Sequence, residues 1–159
     1  MSMTDFNDDW NIRFLGLAEH ISNWSKDPST KVGAIITDNE KRVISMGYNG
    51  LPQSIEDSDE ILNDREKKYN VILHAEENAI LFSKTDLSGY HIFTHPLAPC
   101  SRCTAKIIQT GIKYVVSTYS NNPRWLDNLE FSARLLYEAG ISYKVYDGSE
   151  LYFWNELNV

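Results

Sequence analysis

Hydrophobic and polar positions fall along this chain into blocks of two periods. In "DDWNIRFLGLAEHISNWS" (8–25) the apolar residues Ile12, Leu15, Ala18 or Leu17, and Ile21 recur near helical spacing and predict an amphipathic helix. The helix is expected to stop at "KDPS", because Pro28 cannot continue it. "VGAIIT" (32–37) and "VISMGY" (43–48) are β-rich runs around "DNEKR" and predict a hairpin. "NGLPQS" (49–54) is turn-rich, and the acidic "EDSDEILNDREKKYN" after it is expected to be a solvated insertion with one helical stretch. "HAEENAILFSK" (74–84) predicts a helix, "YHIFTH" (90–95) a strand, "SRCTAKIIQTG" (101–111) a helix ended by Gly111, and "KYVVST" (113–118) a strand. "LDNLEFSARLLYEAG" (126–140) predicts a helix ended by Gly140, "SYKVY" (142–146) a strand, and "SELYFWNEL" a terminal helix.

One hairpin followed by strand–helix–strand alternation predicts the α/β class, as a three-layer α/β/α domain with a mixed five-stranded sheet. No internal repeat or low-complexity linker interrupts the pattern, so residues 1–159 are expected to form one domain. No apolar run approaches the roughly 20 residues a bilayer requires, and the acidic, polar start "MSMTDFNDDW" is not a signal peptide. Two cysteines make no disulfide framework, which points to a reducing, cytoplasmic compartment. The formal charge of −7 comes with no basic stripe: "REKKY" and "EKR" are each diluted by carboxylates. A nucleic-acid polymer is therefore not the expected partner, and a small ligand is.

The candidate chemistry lies at two helix starts. In "HAEENAI" (74–80), His74 and Glu76 can act on one object only from the first turn, since positions i and i+2 of a regular helix diverge. In "APCSRC" (98–103), Cys100 and Cys103 share a helix face at i and i+3, where the positive end of the helix dipole favours thiolate. One imidazole and two thiolates suit a single Zn²⁺, and three protein ligands leave the fourth position open for water, as in catalytic zinc sites. Glu76 is then placed to take the proton from that water. Two other readings stay open: a redox C-x-x-C pair, and a structural zinc completed by His91 or His95. His20 is expected to be a surface or boundary residue, and Glu77 a first-turn residue without a chemical role.

H-x-E followed by P-C-x-x-C is also the signature of zinc nucleobase deaminases. "SKDPSTKVGAIIT", "GYNGLP", "HAEENAI", "APCSRC" and "QTGIKYVV" together resemble the deoxycytidylate (dCMP) deaminase family from about Ser25 to Tyr146. The resemblance implies a cytidine-deaminase-like fold and hydrolysis of dCMP to dUMP and ammonia, feeding thymidylate synthesis. It implies Glu76 as the proton-transfer residue, with His74, Cys100 and Cys103 on zinc.

Asn49 matches the family's sugar-contacting asparagine and is equally a turn residue in "YNG". Ala75 falls within the substrate-facing H-A-E block. Ser29 and Lys31 are candidate donors to the 5′-phosphate, as is Arg124, with Tyr119 packing on base or sugar. The family places an effector site at the loop Gly47, Tyr48, Asn49, Gly50 and Pro52, activated by dCTP and inhibited by dTTP with Mg²⁺, in a homohexamer. By local chemistry alone that loop is a tight turn, with Gly50 for positive φ and Pro52 stiffening its exit. Some members carry a second, structural zinc on extra cysteines before H-A-E, and this chain has none there. The rivals are a deaminase for another cytosine compound or for adenosine in tRNA, and a zinc scaffold or nucleotide sensor without turnover.

Overall fold

The computed structural model describes residues 5–154. Helix α1 (Asp8–Ser22) starts where the Asn7 side chain accepts the Trp10 N–H at 3.1 Å and Asp8 and Asp9 complement the helix dipole. It buries Phe14, Leu15, Ala18 and Ile21 and ends three residues short of the expected Ser25. Strands β1 (Gly33–Thr37) and β2 (Val43–Tyr48) form the expected antiparallel hairpin. The next helices are α2 (Asp59–Leu62) and α3 (Arg65–Val71), so the acidic insertion holds two short helices rather than one. Then come α4 (Ala75–Ser83), β3 (His91–His95), α5 (Ser101–Thr110), β4 (Tyr114–Thr118), α6 (Pro123–Glu138), β5 (Ser142–Tyr146) and β6 (Leu151–Phe153).

The sheet has six strands in the order β2-β1-β3-β4-β5-β6, with β3, β4 and β5 parallel and the other pairings antiparallel. The sixth strand corrects the expected terminal helix over Leu151–Phe153, while Trp154, the last described residue, is helical. Asp147 turns the chain by accepting the N–H groups of Ser149 and Glu150, each at 2.8 Å, and Gly148 takes φ 98°. That turn delivers the β-favouring "LYF" onto the open edge of β5, whose backbone groups need partners. Residues 155–157 of the expected helix lie outside the described residues.

Register explains the layers. Ile35, Phe93 and Val116 are paired neighbours across β1, β3 and β4, and they meet Phe14, Leu15, Ala18 and Ile21 of α1. The alternate row, Ile36, Ile92 and Val115, faces Ala75 and Ala79 of α4, Ile107 of α5 and Leu136 of α6. Strands that bury both faces read as continuous apolar runs, as "GAIIT" and "HIFTH" do. Two glycines set the closeness of the layers. A Cβ on Gly33 would stand 2.0 Å from the Ala18 carbonyl oxygen, and one on Gly47 would stand 2.4 Å from that of Ala75.

Candidate active site and metal centre

His74 is the residue before α4, with extended backbone at φ −75° and ψ 158°. Glu77 fixes it there: its carboxylate accepts the His74 N–H at 2.9 Å and a hydrogen bond from Lys106 Nζ of α5 at 2.6 Å. Burial pushes the Glu77 carboxyl up, but Lys106 and the His74 N–H outweigh it and hold it below its ordinary value. The residue expected to have no chemical role thus ties α4 to α5 behind the site.

Cys100 precedes α5, and Cys103, one turn on, is buried. His74 Nδ1 lies 3.2 Å from Cys103 Sγ and 3.5 Å from Cys100 Sγ, and the three candidate ligand atoms all fall within 4.8 Å of one another. A tetrahedral zinc with bonds of about 2.1 Å to nitrogen and about 2.3 Å to sulfur would separate those atoms by about 3.6 Å, so the donor set fits the ion in kind and spacing. A hydrogen bond from Cys103 leads in pulling the Cys100 thiol down to about 4, and His74 adds to the effect. His74 is raised from its usual value, chiefly by its hydrogen bond with Cys100. His95 is not in this cluster. Its Nδ1 pairs with Thr118 Oγ1 at 2.8 Å, and neither it nor His91 belongs to the group of candidate ligands. His20 is exposed on α1.

Glu76 follows in the first turn of α4 and is 4% exposed. Burial pushes its carboxyl up to about 7; His74 opposes that shift and the Cys100 sulfur reinforces it. A carboxylate with this pKa both takes and returns protons near neutrality. Glu76, His74, Ala75 and Cys100 line a cavity of about 130 Å³ that opens to solvent, with Cys103 buried beside Cys100 in α5. Val32, Ile72, Leu97, Trp125 and Leu129 give the cavity its apolar walls. Asn128 braces the α5–α6 side, accepting the Ser101 N–H at 2.9 Å and donating to Ser101 Oγ at 3.1 Å.

The polar part of the cavity is built around Asp27. Its carboxylate accepts the N–H groups of Ser29 (2.8 Å) and Thr30 (3.4 Å), Asn49 Nδ2 (3.3 Å) and Lys68 Nζ (3.1 Å). Asn49 also donates to the Thr30 carbonyl at 2.8 Å, and its Oδ1 accepts the Val32 N–H at 2.9 Å. Asn49 is therefore the internal brace of the 25–32 loop while lining the cavity. Lys68, 5% exposed, reaches from α3 to Asp27 and to Ser29 Oγ at 3.2 Å. Arg124 lines the same cavity, its guanidinium 4.8 Å from the Trp125 ring centroid and its Nη2 donating to Tyr69 Oη at 2.7 Å.

Of the residues singled out in the sequence, Ser29, Asn49, His74, Ala75, Glu76, Cys100 and Arg124 line this cavity, and Cys103 is buried beside Cys100. Lys31 and Tyr119 do not. Lys31 is exposed, and Tyr119 is half exposed in a neighbouring groove beside Ala98 and Leu129. Trp125 provides the aromatic wall expected of Tyr119. Lys68, Tyr69 and Asp27 were missed because they sit in segments that look solvated; the signal was the helical spacing of Arg65, Lys68, Tyr69 and Ile72 just before H-A-E.

The 47–52 loop lies apart from the cavity lining except at Asn49. Gly47 admits α4 against β2, and Tyr48 is half exposed with its carbonyl accepting Asn78 Nδ2 at 2.8 Å. Gly50 does not adopt the expected positive φ. It exchanges two backbone hydrogen bonds with Leu73, at 3.0 and 2.8 Å, pinching the insertion at its base, and Pro52 follows in the exit turn.

Residues 8–119 match the cytidine and deoxycytidylate deaminase zinc-binding region. The chain is 47% identical over 136 residues to an uncharacterised deaminase of Aliivibrio fischeri from the luxG 3′ region, covering 83% of this chain and 90% of that one. It is 35% identical over 146 residues to human deoxycytidylate deaminase, covering 86% and 79%. The crystal structure of a dCMP deaminase from the cyanophage S-TIM5, in complex with dCMP and dUMP, shares the fold. Its TM-score is 0.71 at 24% identity, over 89% of this chain and 100% of that one.

Proposed function

Because the chain belongs to the cytidine and deoxycytidylate deaminase family, we propose that it hydrolyses the amino group of dCMP, giving dUMP and ammonia. One arrangement carries the proposal: a buried carboxylate, Glu76, stands beside a His/Cys/Cys donor set at the end of a cavity that Ser29, Lys68 and Arg124 also line. His74, Cys100 and Cys103 hold one zinc ion, which when bound supplies Lewis-acid activation of water.

Glu76 does the proton work. It takes a proton from the attacking water and delivers it to ring N3. It then moves the second proton to the amino nitrogen, which leaves as ammonia while C4 becomes a carbonyl carbon. Val32, Ile72, Leu97 and Trp125 pack the pyrimidine ring and keep bulk water from the carboxylate. Asn49 Oδ1 keeps one lone pair beyond its bond from Val32, suited to a sugar hydroxyl. The 5′-phosphate meets Lys68, the Ser29 hydroxyl and Arg124.

The whole chain acts as one deaminase domain in this proposal. The family resemblance further supports control by dCTP and dTTP, carried with Mg²⁺, at the 47–52 loop of a cytoplasmic homohexamer. Tyr48, Leu51 and Pro52 are the side chains of that loop that are not buried and so can meet an effector.

The test is ammonia release by the zinc-loaded protein from dCMP, deoxycytidine, CMP and dCTP, each with and without dCTP or dTTP as effector. Turnover of dCMP above the others supports the substrate, and a rise with dCTP and fall with dTTP supports the effector loop. Zinc bound in stoichiometric amount without turnover of any of the four overturns the proposal.

A further inference from the structure

The two halves of the candidate metal centre take their positions from different neighbours. On α4, the Ala79 carbonyl accepts Ser45 Oγ of β2 at 2.7 Å, and Asn78 Nδ2 donates to the Tyr48 carbonyl at 2.8 Å. Just before α4, Leu73 exchanges backbone hydrogen bonds with Gly50, so His74 is placed from the β2 side. The start of α5 is fixed from the opposite side. There Asn128 of α6 accepts the Ser101 N–H at 2.9 Å and donates to Ser101 Oγ at 3.1 Å. The imidazole and the two sulfurs thus sit on helices with separate anchors.

Among the described residues a single ion pair joins these helices, and it runs through Glu77. Glu77 Oε1 accepts the His74 N–H at 2.9 Å, and its Oε2 accepts Lys106 Nζ at 2.6 Å. A capping-box glutamate accounts for the first of these bonds. A helix cap does not call for the second, to a cation one turn beyond Cys103 on the helix that carries the sulfurs. The Glu77 side chain is 18% exposed and that of Lys106 45%, so either can be replaced without opening the core. Neither lines the cavity, so a change at either leaves the surroundings of a substrate intact.

We propose that Glu77 and Lys106 are positioning residues for the metal centre. The pair sets the spacing between the His74 imidazole and the sulfurs of Cys100 and Cys103, and thereby how tightly zinc is held. Donor atoms kept within 4.8 Å of one another by the chain itself need no ordering when the ion binds. Residues that orient ligands in this way act on affinity without touching the metal. The proposal rests on the zinc reading above and is independent of which nucleotide is deaminated.

The experiment measures the zinc dissociation constant by competition with a chromophoric chelator, with urea denaturation of the metal-free protein alongside. The proteins are wild type, Glu77→Ala, Lys106→Met, and the exchange that combines Glu77→Lys with Lys106→Glu. Glu77→Ala and Lys106→Met are each expected to weaken zinc binding by about 10–100-fold, the usual effect of losing a residue that orients a ligand. The exchange rebuilds an ion pair between the helices but offers the His74 N–H no acceptor. Its zinc binding should therefore stay as weak as that of Glu77→Ala. Phe14→Leu, in the layer on the other face of the sheet, controls for stability alone and should hold zinc as wild type does. Wild-type affinity in Glu77→Ala or Lys106→Met, recovery in the exchange, or an equal loss in Phe14→Leu overturns the positioning role while the zinc site itself stands. Failure of wild type to bind zinc in stoichiometric amount overturns the site and the positioning role together.

Discussion

Replacing Lys68 by methionine tests the polar end of the cavity at its most buried point. Lys68 and Asp27 are 5% and 6% exposed, with Nζ 3.1 Å from Oδ1. At an effective dielectric of about 20 their attraction over that distance is about 5 kcal/mol. Desolvating the two ions costs several kcal/mol each, so the intact pair contributes little net stability. Removing one member is a different matter. Methionine retains most of the lysine stem but leaves the Asp27 charge dry, and breaking a buried pair in this way costs about 3–5 kcal/mol. Asp27 keeps its donors from Ser29, Thr30 and Asn49, which places the expected loss at the lower end, about 3 kcal/mol. The assay is urea denaturation at fixed free zinc of wild type, Lys68→Met, Asp27→Asn and the double variant. Removing both charges should recover more than about 1 kcal/mol of the loss, a coupling typical of contacting residues. A loss under about 1 kcal/mol for Lys68→Met, or a double variant whose loss equals the sum of the singles, would refute the buried pair.

Glu76→Gln should bind zinc stoichiometrically while kcat falls by about 10²–10⁴, the range for loss of a general acid–base; near-normal turnover would remove Glu76 from the chemistry. In the metal-free protein the Glu76 carboxyl stands at about 7 against an ordinary 4.5, so its ionised form opposes folding. At about 1.4 kcal/mol per pH unit, metal-free Glu76→Gln should exceed wild type in stability by about 3 kcal/mol above pH 7. That gap should close as pH falls from 7 to 4.5, where the carboxyl is protonated in folded and unfolded chains alike; a gap independent of pH contradicts the raised pKa. Gly47→Ala would put a Cβ 2.4 Å from the Ala75 carbonyl oxygen and 2.6 Å from the Ala79 nitrogen, lifting α4 from β2. A loss of about 1–3 kcal/mol with weakened zinc binding is expected, since α4 carries His74; unchanged thermal stability and zinc affinity would show that the close approach is not real.

Much of this protein was legible in its residues because the signals are local. Apolar runs buried on both faces made "GAIIT" and "HIFTH" strands, and helical spacing placed α1, α4 and α5 to within a few residues. The α6 start was missed by three residues because Asn122 as N-cap and Pro123 in the first turn outrank the periodicity that begins at Leu126. "SELYFWNEL" went wrong for a different reason: an exposed strand edge on β5, invisible in the chain, claimed "LYF".

The chemistry divides along the same line. His74, Glu76, Cys100 and Cys103 were readable because each sits at a helix start, and two short motifs fix their spacing within each start. That the two starts face each other within 4.8 Å depends on parallel β3 and β4 and on α4 and α5 packing against one face of the sheet. The raised pKa of Glu76 likewise needs the burial that only this packing supplies. The anion-binding end was decided wholly by tertiary structure. Lys68 looks like a solvated charge in an acidic insertion until the Gly50–Leu73 pinch and the Asp27 carboxylate fold α3 back over the cavity. Lys31, two positions from Ser29 in sequence, is exposed and does not line it. Sequence determines which side chains can hold a metal or move a proton, since that is a property of residue type and short-range spacing. Which cations meet a substrate's phosphate is set by contacts between distant segments, whose energies depend on burial and partners that no local pattern encodes.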